Sequence, residues 1–380
     1  MRRHIFLTFA CSLFSLGLLA VGLWPFNFLA ENHANLATHV GGLKFKAPAE
    51  RSQQNLGGMV FTPNPLACRM QSDCKAGALT IKLELTAENE LSPCLKRIME
   101  VLRPNGSKAF YIGQWKSSLI VRSFNIPLAK GKPYQEIGAG EILTQGRNSS
   151  VVIISGPQGT DISFDGKPLK KYPGVRLLHQ NETLEGHKLY LGNSSDLSCP
   201  WSGSILGIAI HGKDWTSGEM TEEWQTASGN LALCGDWPAA VACYRFDGLT
   251  GETIADLSGS ANNLRIPIHL VFDKQSLGLP DSQSISTSDV ALNLIGFVPF
   301  GFLVCLRLLT TGRLLPPSCL LFAIGAGFAA SLFIEVTQVW LPGRDSSLLD
   351  LTANTMGSTI GAAMAIHLWR AYGTKKYYSH

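Results

Sequence analysis

Charge is what this chain has least of. Asp, Glu, Lys and Arg make up 16% of its 380 residues, where soluble proteins carry roughly a quarter. The deficit falls on residues 5–26, 290–306, 314–341 and 351–369, which are long apolar runs, while the middle of the chain has ordinary polarity. A wholly water-soluble fold is thereby excluded, and a membrane protein with a large soluble part is implied. Basic clusters are missing too. The formal net charge is +4 with no Lys/Arg-rich block, which argues against nucleic acid as a partner. No His-Glu-x-x-His motif occurs, no His stands near Ser346 or Ser347 in sequence, and the cysteine spacings do not resemble a zinc site. The sequence therefore implies no metal, no cofactor and no identifiable catalytic residue.

The nine cysteines divide by location. Cys11, Cys305 and Cys319 lie in apolar segments as packing residues. Cys68, Cys74, Cys94, Cys199, Cys234 and Cys243 share the polar middle, which suits an oxidising compartment and up to three disulfides. Six cysteines allow fifteen connectivities. The local pairs 68–74 and 234–243 are preferred, leaving 94–199 by elimination.

Taken in order, the chain opens with Arg2, Arg3 and an uncharged run from Ile5 to Phe26. Its charge order is that of a signal peptide. The run spans about 22 residues, enough for a bilayer core, and no clear Ala-x-Ala site follows. Residues 5–26 are accordingly read as a retained first transmembrane helix, with Trp24 and Phe26 at the far interface. Residues 31–65 form a transition with Gly, Asn and Pro. From 66 to 275 short β-type runs take over: Ala78–Leu85, Ala109–Trp115, Ser118–Phe124, Ser150–Ser155, Lys188–Leu191, Ser204–Ile210 and Val241–Phe246, with a short helix near Ser217. Pro104-Asn105-Gly106, Asp165-Gly166 and Asp247-Gly248 supply turns. The phrase Leu191-Gly192-Asn193, the Trp201-Ser202-Gly203 turn and the strand after it resemble the last strands of a laminin-G/concanavalin-A-like jelly roll, over about 200 residues.

Apolar runs return from Ser288. The second helix contains Pro299, the third begins after Pro317, and the fourth starts near Leu348. Small residues at Gly325–Ser331 allow close helix approach. Gly357 and Gly361 form a Gly-x-x-x-Gly pair, a spacing that chance also supplies. The expected fold is a multi-domain membrane protein: a four-helix transmembrane bundle plus an all-β, concanavalin-A-like jelly-roll sandwich. With the N-terminus inside, four spans place Arg2, Arg3, Arg307, Arg313, Arg370, Lys375 and Lys376 at inner ends and leave Arg344 alone in the outer short loop. Both termini are then cytoplasmic and the β domain is extracytoplasmic, consistent with its cysteines. The expected location is the cell inner membrane, multi-pass.

That topology gathers the polar residues into one outer layer. Asp289 and Asn293, four apart, share a face at the outer end of the second helix. Glu335 and Gln338 lie in the outer half of the third, with Glu335 roughly 9 Å from Leu341. Asp350 and Asn354, again four apart, open the fourth, and Arg344 and Asp345 occupy the hinge. For Asp289 and Asp350 a plain helix-dipole role weighs evenly against ligand binding. Ser346 and Ser347 are read as capping or solvated. A carboxylate at the depth of Glu335 needs a partner; Arg344 is the candidate cation, and a ligand-facing role is favoured over a purely structural pair. All eight are candidate ligand-binding residues.

Three motifs follow one another here. They are Asp289-x-x-x-Asn293-x-x-x-Phe297-x-Pro299-x-Gly301, Glu335-x-x-Gln338, and Arg344-Asp345 followed by Asp350-x-x-x-Asn354-x-x-Gly357-x-x-x-Gly361. In this order they resemble the VanZ-like membrane family over roughly 288–370. Trp24–Phe28 is similar to the end of that family's first helix. The chain departs from the short members in its β domain between helices one and two, and it lacks an evident counterpart of the Lys/His-containing segment they often carry there. The resemblance implies neither a mechanism nor an antibiotic-resistance role.

Two functions compete. One is a binding module on a membrane anchor, the β domain holding an envelope glycan or protein and the polar layer a lipid or lipid-linked headgroup. The other is an integral-membrane enzyme or lipid-handling transporter acting on an envelope precursor. A glycosidase reading fails for want of a Glu-x-Asp-x-Glu strand, since Glu84 stands alone. Asp161 and Asp165 suit calcium less well than Asp165-Gly166 suits a tight turn. The sequons at Asn148, Asn181 and Asn193 carry no argument. A reporter fused after His380 is expected to read out a cytoplasmic C-terminus; an external signal would overturn the orientation.

Overall fold

A computed structural model describes residues 2–24, 26, 28–37, 42–47, 56–88, 94–125, 133–215, 240–246, 251–270, 276–278, 287–341, 344 and 346–373. The chain divides into two compact units. One comprises Leu29–Asp273; the other comprises Met1–Phe28 and Lys274–His380.

The first unit is a sandwich of two eight-stranded antiparallel sheets. One sheet runs Ala34–Leu36, Leu43–Phe45, Gly203–His211, Leu79–Ala87, Asn148–Gly156, Gly159–Phe164, Lys167–Pro173, with Ala240–Arg245 also paired to Gly203–His211. The other runs Thr253–Ile254, Leu264–Arg265, Val60–Phe61, Lys188–Leu191, Lys96–Leu102, Lys108–Trp115, Ser118–Ser123, Gln135–Ala139. Every strand expected from alternation is present, while the helix expected near Ser217 lies outside the described residues. The strands at 34–36, 43–45 and 60–61 come from the stretch expected as a transition. They are too short to show a period of two, and the sheets alone define them.

Leu79, Ile81, Leu83 and Leu85 from one sheet meet Phe110, Ile112 and Val121 from the other in one buried core. The alternate positions Lys82 and Glu84 are buried as well and pair at 3.5 Å. Burial pushes the Lys82 ammonium down and the Glu84 carboxyl up, and their mutual attraction opposes both. Trp201 is fully buried and its Nε1 donates to Gln114 Oε1 at 2.7 Å. Asp165 and Gly166 both have positive φ, 47° and 76°, the signature of a two-residue hairpin turn. The Asp165 carboxylate is held by Arg147 and by the Ser150 N–H.

Cys68 and Cys74 form a disulfide. Cys243 is also disulfide-bonded; Cys234 lies outside the described residues. The third pairing is corrected. Cys94 and Cys199 are neighbours, but no S–S bond joins them. Each sulfur has a hydrogen-bond partner instead, the Ser198 carbonyl for Cys94 and the Ser198 hydroxyl for Cys199. The contact with Cys94, followed by burial, keeps the Cys199 thiol protonated.

The second unit contains four described helices: α1 (Arg2–Gly22), α2 (Thr287–Thr311), α3 (Pro316–Gln338) and α4 (Leu348–Gly373). Among the described residues three are long and apolar enough to cross a membrane, namely α1, α2 and α3. The expected four-span bundle is thus present as four helices with three candidate spans. α4 has the length, 26 residues, but Asp350, Thr352, Asn354, Thr355, Ser358 and Thr359 dilute its hydropathy. α1 ends at Gly22 rather than Phe26, where a positive φ of 61° has already broken the helix.

Glycines set the helix spacing. A Cβ on Gly357 would lie 2.1 Å from the Leu294 carbonyl oxygen, and one on Gly361 would lie 1.9 Å from that of Val298. Gly301 returns the contact, 2.0 Å from the Ser358 oxygen. The Gly-x-x-x-Gly pair is therefore a true backbone contact between α2 and α4. Ser358 also turns to α3, its Oγ donating to the Ala323 carbonyl at 3.1 Å.

Two predictions follow from this packing. Gly361→Leu should destabilise the detergent-solubilised chain by about 3 kcal/mol or more, read as a lower melting temperature. Gly325→Ala, with nothing within 4 Å, should leave it unchanged. The second concerns pH. Burial alone would raise Glu182, but hydrogen bonds from His187, Arg103 and the His179 N–H hold it down at about 2. The folded-state value lies below the unfolded one, so its stabilisation is complete above about pH 4.5 and lost as pH falls toward 2. Glu182→Gln should flatten that acid limb in thermal melts.

Candidate functional site

The polar layer is built where α2, α3 and α4 meet. Glu335 sits one turn before the end of α3 and is 2% exposed. Its Oε2 accepts the Ser347 N–H at 2.8 Å. That N–H immediately precedes α4, one of the donors that a helix start leaves without an intrahelical partner. Ser347 Oγ in turn accepts from the N–H groups of Leu349 and Asp350, at 3.2 and 3.4 Å, as an N-cap side chain does. Ser346 receives the Leu277 N–H on its hydroxyl at 2.9 Å and the Gly278 N–H on its carbonyl at 3.1 Å. Both serines therefore organise the hinge.

The same end of α3 also faces α1. Gln338 Nε2 donates to the Gly22 carbonyl at 2.8 Å. Arg344 Nε donates to the Trp24 carbonyl at 3.2 Å, and a second guanidinium nitrogen reaches the Val21 carbonyl at 3.4 Å. A cation over the last carbonyls of a helix is favoured by the helix dipole. The direct partner of Glu335 is thus a backbone N–H, whereas the expected cation, Arg344, serves the end of α1. Arg344 and Asp350 still lie within electrostatic reach of Glu335.

Asp350, in the first turn of α4, accepts a hydrogen bond from the Asn293 side chain of α2, with Asp289 within electrostatic reach. Asn354 is 2% exposed; its Nδ2 donates to Ser331 Oγ at 2.9 Å. Its Oδ1 is buried without a hydrogen-bond partner. A buried carbonyl left unmet costs about 1–3 kcal/mol. The structure thus brings Asp289, Asn293, Glu335, Asp350 and Asn354 together, graded from exposed Asp289 through half-buried Asn293 and Asp350 to buried Glu335 and Asn354. Gln338 and Arg344 adjoin them at α1. Asp345 lies outside the described residues. Chemically the set is rich in acceptors and carries several carboxylates, which suits a ligand offering hydroxyl or ammonium donors. Among the described residues no His/Cys/Asp/Glu group could hold a metal.

The sandwich has a second feature that the sequence reading missed. Strand register aligns Tyr190, Glu100, Tyr111, Arg122 and Glu136 in one cross-strand row. The Arg97 guanidinium lies 3.5 Å over the Tyr111 ring and that of Arg122 lies 4.2 Å over Tyr134. Arg122 also donates to the Tyr111 hydroxyl at 2.8 Å and to Glu136 at 2.6 Å. The row is buried at Glu100 and Tyr111 and opens at Arg122, Tyr134 and Glu136. Alternation of Tyr111 and Arg122 with apolar neighbours was its only trace in the sequence.

Residues 244–370 match the VanZ/LLP1 family. No curated protein matches the chain. Similar solved structures include a heptameric SAP-like pentraxin from Limulus polyphemus, 12% identical over 52% of this chain and 87% of that one, TM-score 0.37. A putative carbohydrate binding protein from Bacteroides ovatus is 14% identical over 60% and 59%, TM-score 0.37. Domains LG4-5 of mouse laminin alpha1 are 16% identical over 47% and 45%, TM-score 0.32.

Replacing Glu335 separates its acceptor role from its charge. Glu335→Gln keeps an acceptor for the Ser347 N–H and should leave the melting temperature nearly unchanged. Glu335→Leu strands that N–H and should cost about 1–3 kcal/mol. Equal stability of the two variants would show that the hinge bond contributes nothing.

Proposed function

Because residues 244–370 match the VanZ/LLP1 family, we propose that this is a membrane protein of the cell envelope whose polar layer receives the headgroup of a lipid or lipid-linked molecule. Its jelly-roll sandwich binds an envelope glycan or protein. On this reading the chain comprises transmembrane helix 1 within 5–26, the sandwich centred on 66–275 and the VanZ-like region with helices 2–4 at 288–370. It is multi-pass in the inner membrane, with cytoplasmic termini and an extracytoplasmic sandwich. The packing of α4 along α2 supports a fourth span, since Gly357 and Gly361 meet Leu294 and Val298 in the same order along both helices.

The observation that carries the reading is the convergence of Asp289, Asn293, Asp350 and Asn354 from α2 and α4, with Asn354 Oδ1 buried and unmet. Water or a ligand hydroxyl would satisfy that oxygen. Carboxylates on the approach disfavour a bare phosphate and favour a headgroup that presents hydroxyl or ammonium donors. For the sandwich, support comes from the open end of the cross-strand row, where Tyr134, Arg122 and Glu136 combine a ring face with charged donors and acceptors.

Mass spectrometry of molecules co-purifying with the full chain tests the first half. The wild type should retain a lipid-linked hydroxyl- or amine-bearing headgroup, and Asn354→Leu should lose it. Equal retention by a folded Asn354→Leu protein would sink the proposal, and turnover or flipping of the retained lipid would move it to the enzyme or transporter class. For the sandwich, Tyr134→Ala should weaken binding to envelope glycan fractions about fivefold; binding unaffected by Tyr134→Ala and by Arg122→Ala places the glycan elsewhere.

A further inference from the structure

At the end of the bundle away from the polar layer, α1 and α2 line a groove with Ile5, Thr8, Phe9, Ser12 and Arg307. Arg307 lies four residues before the end of α2 at Thr311, roughly 6 Å along the helix axis. It is half-buried. Its Nε donates to Thr8 Oγ1 at 2.8 Å. Among the described residues it forms no ion pair. The flanking Ile5 and Phe9 are 61% and 65% exposed.

These facts describe a cation with its orientation set and its charge unanswered. A guanidinium carries five N–H donors in a fixed fork. The Thr8 contact uses one and holds the plane, leaving a pair for a bidentate acceptor such as a phosphate diester. A charged side chain at this depth of a spanning helix needs a partner, and no carboxylate of the described chain supplies it. Apolar Ile5 and Phe9 border the site on the bilayer side, as an acyl chain requires, while Ser12 places a hydroxyl in the same groove as the cation. Arg313 and Arg370 sit at the same end of α2 and α4, so the local field enriches anionic lipid there. A zwitterionic headgroup would bring an ammonium toward this basic surface, which disfavours it.

We propose that the groove is a specific site for an anionic glycerophospholipid, its phosphate on Arg307 and an acyl chain along Ile5 and Phe9. The site is separate from the polar layer, uses opposite charge, and stands whether or not that layer binds a headgroup.

The test uses the full chain, delipidated in detergent and titrated in native mass spectrometry with phosphatidylglycerol, phosphatidylcholine or inorganic phosphate. The wild type should prefer phosphatidylglycerol to phosphatidylcholine about fivefold, and Arg307→Gln should abolish that preference. Phe9→Ser should weaken phosphatidylglycerol while leaving the charge in place. Arg307→Lys keeps the charge and loses the fork; a reduced preference is expected, and an undiminished one overturns the fork geometry. Equal phosphatidylglycerol binding by wild type and Arg307→Gln, both folded by circular dichroism, overturns the site. Inorganic phosphate binding as well as the lipid would overturn the lipid assignment in favour of a simple anion site.

Discussion

The contact of Gly357 and Gly361 with the Leu294 and Val298 carbonyls fixes both the spacing and the register of α2 and α4. Any side chain at these positions would push the backbones apart. Because the contacts recur one turn apart in the same direction, the two helices begin at the same height. Asn293 therefore meets Asp350, with Asp289 nearby. A shift of one residue would rotate one partner by about 100° and separate them. Ser358 extends the same logic to α3 through the Ala323 carbonyl.

The polar layer then divides its labour. Glu335 and Ser347 satisfy N–H groups at the start of α4, while Gln338 and Arg344 satisfy carbonyls at the end of α1. In hydrocarbon surroundings such orphan groups are costly, and water is not there to meet them. Much of what the sequence presents as a cluster of ionisable residues is thus the means by which a hinge survives at the membrane. What the hinge leaves unmet is narrower: the buried Asn354 carbonyl, with Asp350 held by Asn293 one turn before it. The sandwich uses buried charge differently. Lys82 and Glu84 neutralise one another on an outer face, and Arg97 stacks on Tyr111.

Much of this was legible in advance. Apolar runs announced the helices because a bilayer span demands length and hydropathy together. Alternation announced the longer strands because a sheet buries one face. The ordered motifs from Asp289 to Gly361 announced that α2, α3 and α4 shared a polar end. Short strands such as Leu43–Phe45 were not legible, since three residues cannot display a period. The partner of Glu335 was not legible either, because backbone donors leave no mark in a sequence. Cys94 and Cys199 were correctly brought together by elimination, but proximity is not a bond.

Composition and periodicity by themselves determined that the chain has a membrane part and a β part, and which residues stand on which face of each helix. These are local properties, set by hydrophobicity and by the geometry of one element. Which polar groups are consumed and which are left was decided only by tertiary structure. A hydrogen bond needs its partner within about 3 Å, and partners such as Gly22 and Gln338 lie far apart in the chain. The cross-strand row from Tyr190 to Glu136 arose in the same way, from register, and the Thr8 partner of Arg307 emerged only when α1 was laid beside it.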